Sequence, residues 1–273
     1  MEPLHLVQDE YLCIVPWKNM FPTITAGFTT KNRGYSQEPF STLNLGLHVN
    51  DSKDHVIQNR GRLAGLLHFP LEDWVCSEQV HDHHIKKVTK ADRGKGVMKY
   101  EEGIPCTDGV YTSEANILLT SVYADCVPLY FIEPSRGLIG LAHAGWKGTV
   151  REIASRMVRC WVEEEGVQAE NIHVCIGPSI LNCCYVVDDY VINEVKKVLD
   201  DQDVLPFIEI SPGQYSLNLA KLNQQILLKA GVQEENIIMS SRCTSCEDQL
   251  FFSHRRDRGK TGRMMSFIGY KED

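Results

Sequence analysis

The sequence lacks any long apolar run, any surplus of positive charge and any familiar nucleotide-binding loop. No apolar run approaches the roughly 20 residues that a membrane-spanning helix needs. The formal net charge is -8, so no broad positive field is available to attract a nucleic acid or an anionic membrane. Neither a G-x-x-x-x-G-K-[ST] loop nor a dinucleotide fingerprint is present. These absences disfavour membrane, nucleic-acid and ATP- or NAD-dependent functions.

The sequence also shows no signal-peptide pattern at its start and no segment typical of an interdomain linker. The start, MEPLHLVQDEYLCIVPW, has no basic segment followed by an apolar core, so we expect a cytoplasmic protein. In that reducing compartment the ten cysteines are expected to be free thiols, most of them buried as small hydrophobes. No low-complexity segment divides the chain, so residues 1–273 are expected to form one domain.

Apolar periodicity predicts a mixture of short strands and amphipathic helices. Strands are expected at residues 74–81, 117–123, 138–142 and 170–176, and helices at residues 52–67, 188–199 and 218–230. A further helix is predicted from Thr149, which forms a capping-box pattern with Glu152, to a stop at Gly166. Within the first helix, the residue types favour solvated positions for Asn59 and Arg60. Residues 90–106 are predicted to form a surface loop.

A seven-residue segment occurs almost twice. The letters GVQAENI at residues 166–172 return as GVQEENI at residues 231–237, each time between a predicted helix and a predicted strand. Two copies are too few for a solenoid with a fixed period. The repetition indicates helix–strand units that pack on common sheets.

Three residues with metal-binding side chains follow predicted buried strands. These are His81, Cys126 and His143, and all three could converge at one edge of a sheet. Two imidazoles and a thiolate suit a tetrahedral zinc ion whose fourth position stays open for water or substrate. The same residues also suit a cysteine nucleophile, with a histidine as base and Asp125 beside it. A third interpretation makes Cys126 and His143 ordinary core residues.

Two further segments are candidates for binding. Cys243 and Cys246 form a C-x-x-C pair, but no second pair has the usual spacing, and the adjacent Cys183 and Cys184 are poor joint ligands. The sequence alone therefore favours structural thiols. The basic segment 253–263 is predicted either to hold an anion such as phosphate or to form a solvated turn.

Several segments resemble, in chain order, the YfiH-like family, which is also called the laccase-domain or polyphenol oxidase family. The segments are LNLGLH from Leu43, QVH from Gln79, TDG from Thr107, ADCVP from Ala124, HAGWKG from His143, IGPSI from Ile176, and FSHRR from Phe252 through TGR from Thr261. The resemblance covers nearly the whole chain. The A-D-C-x-P and H-A-G-W-[RK]-G segments are its most specific parts.

The resemblance implies a fold, a cofactor and an activity. The fold would be a single α+β domain with mixed β-sheets sandwiched between helices, an α/β/β/α arrangement. Zinc would be bound by His81, Cys126 and His143, which would also be the catalytic residues, while Asn44 and Arg60 would contact substrate or phosphate. The activity would be phosphorolysis of the purine nucleosides adenosine, inosine and 5′-methylthioadenosine, with adenosine deaminase activity alongside. Purine nucleoside and phosphate are therefore the expected partners.

Two departures from the family pattern and three rival functions stay open. Asp82 stands where glycine is usual and Lys147 where arginine is commoner, but neither removes a ligand. A copper polyphenol oxidase is one rival, since copper also binds such a site, although multicopper chemistry commonly uses several H-x-H pairs and this chain has one, from His81 to His83. The others are a metal-free cysteine hydrolase, linked to editing of peptidoglycan precursors, and a non-enzymatic metal-binding protein.

Overall fold

Most strands of the computed structural model, which describes residues 1–272, belong to two six-stranded mixed sheets. The first sheet has the spatial order β1 (Leu4–Gln8), β2 (Tyr11–Ile14), β3 (Ile24–Thr29), β15 (Met264–Tyr270), β7 (Ile117–Tyr123) and β4 (Trp74–Cys76). The second has the order β14 (Ile237–Met239), β10 (His173–Ile176), β8 (Val127–Glu133), β9 (Leu138–Ala144), β6 (Gly109–Thr112) and β5 (Ile85–Lys87). A small third sheet has the order β11 (Val186–Asp188), β13 (Gln214–Leu217) and β12 (Phe207–Ser211).

Six α-helices accompany the sheets in the part of the chain that the structure describes. They are α1 (Val15–Met20), α2 (Lys53–Leu67), α3 (Trp146–Val150), α4 (Ile153–Glu165), α5 (Asp189–Lys196) and α6 (Leu219–Lys229). The predicted helices at residues 52–67, 188–199 and 218–230 are confirmed as α2, α5 and α6. Asp188 caps the N-terminus of α5 and Asn218 that of α6, each with a side-chain oxygen that accepts a backbone N–H of the helix. Within residues 1–272, no helix combines the length and apolar character that crossing a membrane requires.

The helices cover the outer faces of the two large sheets. Leu63 and Leu67 of α2 pack in one apolar cluster with Leu118 of β7. On the other side, α4 and α6 cover the second sheet, and Trp161 lies in the cluster that they form with it. The next residue of β7, Leu119, points between the sheets, because successive strand residues face opposite sides. This layering confirms the predicted α/β/β/α arrangement.

The repeated seven-residue segment has the structural role that the sequence predicts. Each copy contains a single 3₁₀ turn, Ala169–Asn171 in the first and Glu234–Asn236 in the second. The turns lead into β10 and β14, which pair in parallel in the second sheet. Two helix–strand units therefore share one sheet, as predicted.

The helix predicted from Thr149 begins later than the capping-box pattern suggested. The helical conformation is interrupted at Glu152, whose φ of 60° is left-handed. Helix α4 then starts at Ile153 without a side-chain cap. The hydroxyl of Thr149 accepts a hydrogen bond from Asn223 Nδ2 at 3.0 Å. The predicted capping box is therefore wrong, because a tertiary partner on α6 uses the threonine and Trp146–Val150 form a separate helix.

The expected solvation of Asn59 and Arg60 is also wrong. Asn59 is fully buried and Arg60 is 3% exposed. The side-chain amide of Asn59 donates to Ser36 Oγ and to the carbonyls of Thr42 and Asn44. Asn59 and Arg60 therefore hold the neighbouring loops in place from α2. The carbonyl groups of those loops accept the hydrogen bonds that the buried side-chain donors require.

Candidate metal centre and cleft

His143 lies inside β9, one residue before the strand ends. Period-two alternation places it on the face that carries Ile139 and Leu141, toward the first sheet. Its ring centroid is 5.3 Å from that of Tyr123, the last residue of β7. His143 is 2% exposed, so its imidazole is held deep at the end of the space between the two sheets.

Cys126 immediately precedes β8, in the turn that leads there from β7. The residue before it, Asp125, has a φ of 85°. The carboxylate of Asp125 accepts hydrogen bonds from Thr244 Oγ1 at 2.7 Å, Ser253 Oγ at 3.0 Å and the N–H of Arg255 at 2.7 Å. Both oxygens of Asp125 are thereby used to hold two C-terminal loops beside Cys126. In this arrangement Asp125 positions the chain and does not orient a catalytic base.

His81 lies in a loop, because the strand predicted at residues 74–81 ends at Cys76. Its backbone is left-handed, with a φ of 60°. One carboxylate, that of Asp108, accepts the backbone N–H groups of Val80, His81 and Asp82 at 3.1, 3.0 and 2.9 Å. Asp108 therefore fixes the loop that carries His81. The signal for this role in the sequence is the place of Asp108 in the T-D-G segment, which marks the residue but does not indicate the backbone contacts of its side chain.

The structure brings the three predicted ligands together. One ligand atom each from His81, Cys126 and His143 lies within 4.8 Å of the others, and the two imidazole centroids are 4.9 Å apart. His83 and His84 stack on each other instead and do not belong to this group. The three residues meet where the two sheets open, and not at the edge of one sheet as the sequence suggested.

The charges of Cys126 and His143 stabilise each other. Burial raises the pKa of Cys126, but the two histidines outweigh it and lower that pKa to about 6. Burial lowers the pKa of His143, but Cys126 and Asp108 outweigh it and raise that pKa to about 9. Without a metal ion, the pair therefore exists as thiolate and imidazolium near neutral pH.

The donor set and its surroundings fit zinc. Nδ1 of His143 lies 2.8 Å from Asp108 Oδ1, which leaves Nε2 as the ligand atom, and a carboxylate behind a ligating histidine is the usual supporting contact. Gly145 leaves the necessary room, since a Cβ there would lie 3.1 Å from Cys126 Sγ and 3.3 Å from His81 Cδ2. Two imidazoles and one thiolate would leave a fourth tetrahedral position open toward the cleft.

A cleft of about 560 Å³ opens above the three residues, a volume in the range of small-ligand sites. Aromatic side chains of Trp146 and Tyr185 form part of its wall. Among the other residues around it are His48, Gln79, Val122, Lys147, Ile180, Leu219, His254, Arg255 and Arg263. The opening therefore combines flat apolar surfaces with several cations.

The basic segment 253–263 divides between the cleft and the framework. Arg263 and Arg255 line the cleft. Arg255 lies over the ring of Tyr185, 5.0 Å from its centroid. Burial lowers the pKa of Arg263, and the neighbouring Cys126 and Asp125 oppose that shift. By contrast, Arg256 donates to three backbone carbonyls and to Asp257, so it holds the loop together.

Asn44 and Arg60 do not line the cleft. Arg60 donates to the carbonyls of Leu45, Gly96 and Val97 at 2.7 to 3.0 Å. Asn44 Oδ1 accepts the backbone N–H of Arg263 at 2.9 Å. Both predicted substrate contacts therefore lie behind the cleft wall, where Asn44 positions the chain at Arg263.

An α/β/β/α sandwich with an open-sided His–Cys–His cluster defines a class of α+β proteins with a candidate metal centre. The sequence profile of the family described as multi-copper polyphenol oxidoreductase laccase matches residues 25–271 of this chain. The chain belongs to that family, which confirms the resemblance drawn from its motifs.

Relatives and solved structures agree with this assignment. The chain is 53% identical over 253 residues to the purine nucleoside phosphorylase YlmD of Geobacillus stearothermophilus, covering 93% of this chain and 92% of that protein. It is 46% identical over 273 residues to the purine nucleoside phosphorylase YlmD of Bacillus subtilis, covering 99% of this chain and 98% of that one. A crystal structure of YlmD from Geobacillus stearothermophilus matches with a TM-score of 0.97 and 50% identity over the full length of both chains.

Proposed function

We propose that this protein is a zinc-dependent purine nucleoside phosphorylase that acts on adenosine, inosine and 5′-methylthioadenosine, with adenosine deaminase activity at the same site. The observation that carries the proposal is the convergence of His81, Cys126 and His143 at the base of a cleft that also contains arginines. The names of the relatives, purine nucleoside phosphorylase, support the same substrate class.

Zinc bound at the cluster would polarise a substrate oxygen or nitrogen in the cleft. The protein's own part is to prepare the three ligand atoms. Asp108 accepts a hydrogen bond from the Nδ1–H of His143 and another from the backbone N–H of His81, which holds the loop of His81 in place. The charge pair keeps Cys126 as a thiolate, which is its ligand form, and metal binding would release the proton that the same pair holds on His143, because only a neutral imidazole binds a metal.

Arg263 and Arg255 are suited to bind phosphate and the charge that develops during phosphorolysis. In that reaction a phosphate oxygen forms a bond to the anomeric carbon, the bond from that carbon to the purine nitrogen breaks, and the base takes up a proton. Guanidinium groups bind phosphate oxygens through paired N–H donors. Both arginines line the cleft, and each donates to backbone carbonyls through its Nη1, whereas Arg60 uses Nε, Nη1 and Nη2 for such carbonyls. The phosphate contact predicted for Arg60 is therefore assigned to Arg263 and Arg255 in this proposal.

Aromatic side chains provide a surface for the base. Trp146 and Tyr185 line the cleft, and flat rings favour stacking with a purine because every base has a π-face. Tyr185 is itself held by Arg255 above its ring. A wall of this kind is indifferent to the groups at C6, which agrees with a substrate range that includes adenosine and inosine.

The proposal is tested by measuring base release with and without phosphate. Each nucleoside is incubated with the purified protein, and base, sugar phosphate and inosine are separated chromatographically while bound metal is measured on the same sample. We expect zinc, and base release that requires phosphate and yields a sugar 1-phosphate. Base release without phosphate would replace phosphorolysis by hydrolysis. Retention of both zinc and turnover by Cys126→Ala would refute the assignment of the site.

The thiolate–imidazolium pair also favours a second candidate, a metal-free cysteine hydrolase. A thiolate with a pKa of about 6 beside a charged histidine is the usual form of a catalytic cysteine. Copper oxidase chemistry is less well supported, because only one of the two candidate metal groups within residues 1–272 contains imidazoles. Activity that survives chelators but is lost on alkylation of one thiol would favour the hydrolase. Copper with oxygen consumption would favour the oxidase.

A further inference from the structure

Four cysteines from two distant parts of the sequence meet beside the cleft. Cys183 and Cys184 lie in a turn before β11, and Cys243 and Cys246 lie in a turn after β14. All four sulfur atoms are within 4.8 Å of one another. Sγ of Cys246 lies 3.6 Å from that of Cys183 and 3.3 Å from that of Cys184. We call these residues the tetracysteine cluster.

Core packing does not account for the tetracysteine cluster. Cys243 is buried, but Cys183 and Cys246 are exposed and Cys184 is intermediate. Buried thiols behave as small hydrophobes, whereas exposed thiols gain nothing from contact with one another. The grouping therefore needs a different explanation from the one that suits Cys175, which is fully buried in the core between the two large sheets.

The spacing of the sulfur atoms suits a tetrahedral metal ion. Four thiolates at about 2.3 Å from zinc are separated by about 3.8 Å, close to the separations in the tetracysteine cluster. Cys243 and Cys246 supply the C-x-x-C spacing of many structural zinc sites. The backbone N–H of Leu181 donates to Cys243 Sγ at 3.4 Å, a contact that stabilises a ligating thiolate.

We propose that Cys183, Cys184, Cys243 and Cys246 bind a zinc ion at a structural site, separate from the His81, Cys126 and His143 cluster. Four protein ligands complete a tetrahedral sphere, so no position is left for a substrate, and soft thiolate ligands select zinc over magnesium or calcium. Spacing alone indicated no partner for the C-x-x-C pair, and adjacency disfavoured Cys183 and Cys184 as joint ligands. The fold nevertheless brings both of their sulfur atoms to within 3.6 Å of Cys246 Sγ.

The position of the tetracysteine cluster indicates what this zinc ion does. It joins the segment at residues 179–186 to the turn at residues 243–246, which also pair through the N–H of Thr244 and the carbonyl of Ser179 at 3.0 Å. The first segment carries Ile180 and Tyr185 of the cleft wall. The second holds Asp125 through the hydroxyl of Thr244. Zinc at the tetracysteine cluster therefore fixes the cleft wall against the residue that precedes Cys126.

Metal content measured on a matched set of variants tests the proposal. Protein purified in reducing buffer without added metal is analysed by mass spectrometry of its elements. Each of the two clusters is expected to contribute one zinc ion per chain. Cys126→Ser should remove only the ion at the histidines, and the double variant Cys184→Ser with Cys246→Ser only the ion at the tetracysteine cluster. Cys106→Ser, exposed and outside both groups, is the control and should keep both ions.

Two measurements that leave all four residues of the tetracysteine cluster unchanged keep the test independent of folding in the double variant. Cobalt exchanged into the protein should give the strong sulfur-to-metal absorption of a tetrathiolate site, and this absorption should persist in Cys126→Ser. Iodoacetamide should modify the tetracysteine cluster only after a chelator is added. Free alkylation without a chelator would overturn the proposal. So would a native mass lower by the two hydrogens of a disulfide, or iron in place of zinc.

The proposal does not depend on the nucleoside chemistry. Zinc that is retained in Cys126→Ser and lost in the double variant would establish the tetracysteine site even in the absence of nucleoside turnover. Conversely, a single zinc ion that disappears in Cys126→Ser would support the proposed active site and refute the tetracysteine site.

Discussion

The carboxylate of Asp108 lies 2.8 Å from Nδ1 of His143 and also accepts the backbone N–H of His81 at 3.0 Å. A single side chain therefore supports two of the three candidate zinc ligands. Burial raises the pKa of Asp108, but the hydrogen bonds from His143 and from the backbone N–H groups outweigh burial and lower that pKa. Asp108 accordingly stays an acceptor for all of these donors at neutral pH.

Replacing this acceptor should weaken metal binding. Asp108→Asn presents an amide NH₂ where donors from the protein already converge, so His143 and the loop of His81 lose their support. We expect metal affinity to fall by about 10- to 100-fold, the usual cost of losing such a partner, and turnover to fall with it. Competition with a chelator measures the affinity. Asp201→Asn, an exposed residue, is the control, and unchanged zinc affinity in Asp108→Asn would contradict the role given to Asp108.

Gly145→Ala should disturb the metal centre while leaving the fold intact. The φ of Gly145 is -67°, which alanine adopts freely, so the effect comes only from the contacts of the new Cβ with Cys126 and His81. These ligands must move by a few tenths of an ångström to make room, so turnover should fall, though by less than the roughly 100-fold that a displacement of about 1 Å can cost. Gly61→Ala is the matched control, because a Cβ at that position meets nothing within 4 Å. It should stabilise α2 by about 0.5–1 kcal/mol. Equal zinc content and turnover in both variants would show that the glycine at 145 is not needed.

The thiolate of Cys126 should be detectable in metal-free protein. Its pKa is lowered to about 6, so the thiolate is present above that pH and is lost as the pH falls through it. Alkylation of Cys126 by iodoacetamide, followed on its peptide by mass spectrometry, should therefore show a midpoint near pH 6. In His143→Ala the main stabilising charge is removed while burial still raises the pKa, so the midpoint should move above that of an ordinary thiol. A wild-type midpoint near 9 would rule out the charge pair.

Periodicity predicted the elements of the fold but not their limits near the site. His143 belongs to β9 because Pro128, its neighbour in the register, continues the pairing with β8. In the sequence, a polar residue after an apolar run is typical of the end of a strand. The sequence therefore did not indicate that His143 continues the pairing with β8. The same limitation applies to Thr149, whose hydroxyl is used by Asn223 on α6. In both cases a residue distant in the sequence decides the local structure.

Residue chemistry predicted the three candidate metal ligands that the structure brings together, whereas the cleft wall needed the tertiary structure. Histidine and cysteine are informative by type, and the family motifs added their positions. The residue type of arginine does not indicate its role, because that role depends on which acceptors the fold places beside the guanidinium group. The loop at residues 90–106, predicted only as a surface segment, supplies the carbonyls of Gly96 and Val97 to Arg60 and buries Val97. No local pattern records that contact.

Arg263→Met should impair phosphate binding without loss of metal. The substitution keeps an apolar stem of similar length and leaves the backbone N–H that Asn44 accepts. Hydrogen bonds to a charged group contribute about 1.5–3 kcal/mol, so the KM for phosphate should rise by about 10- to 100-fold. The KM for the nucleoside should change less. Lys260→Gln, an exposed member of the same basic segment, is the control. An unchanged phosphate KM in Arg263→Met would remove this arginine from the site.

Arg60→Met should separate a structural role from a phosphate contact. Its guanidinium satisfies the carbonyls of Leu45, Gly96 and Val97 in a buried position. Removing these donors leaves buried acceptors unpaired at about 1–3 kcal/mol each, so urea unfolding should show a loss of several kcal/mol. Any folded protein should retain a normal KM for phosphate. Arg159→Met, an exposed position on α4, should leave stability nearly unchanged. If Arg60→Met kept full stability and raised only the phosphate KM, the substrate contact first predicted for Arg60 would be correct after all, and the assignment to Arg263 and Arg255 would have to be revised.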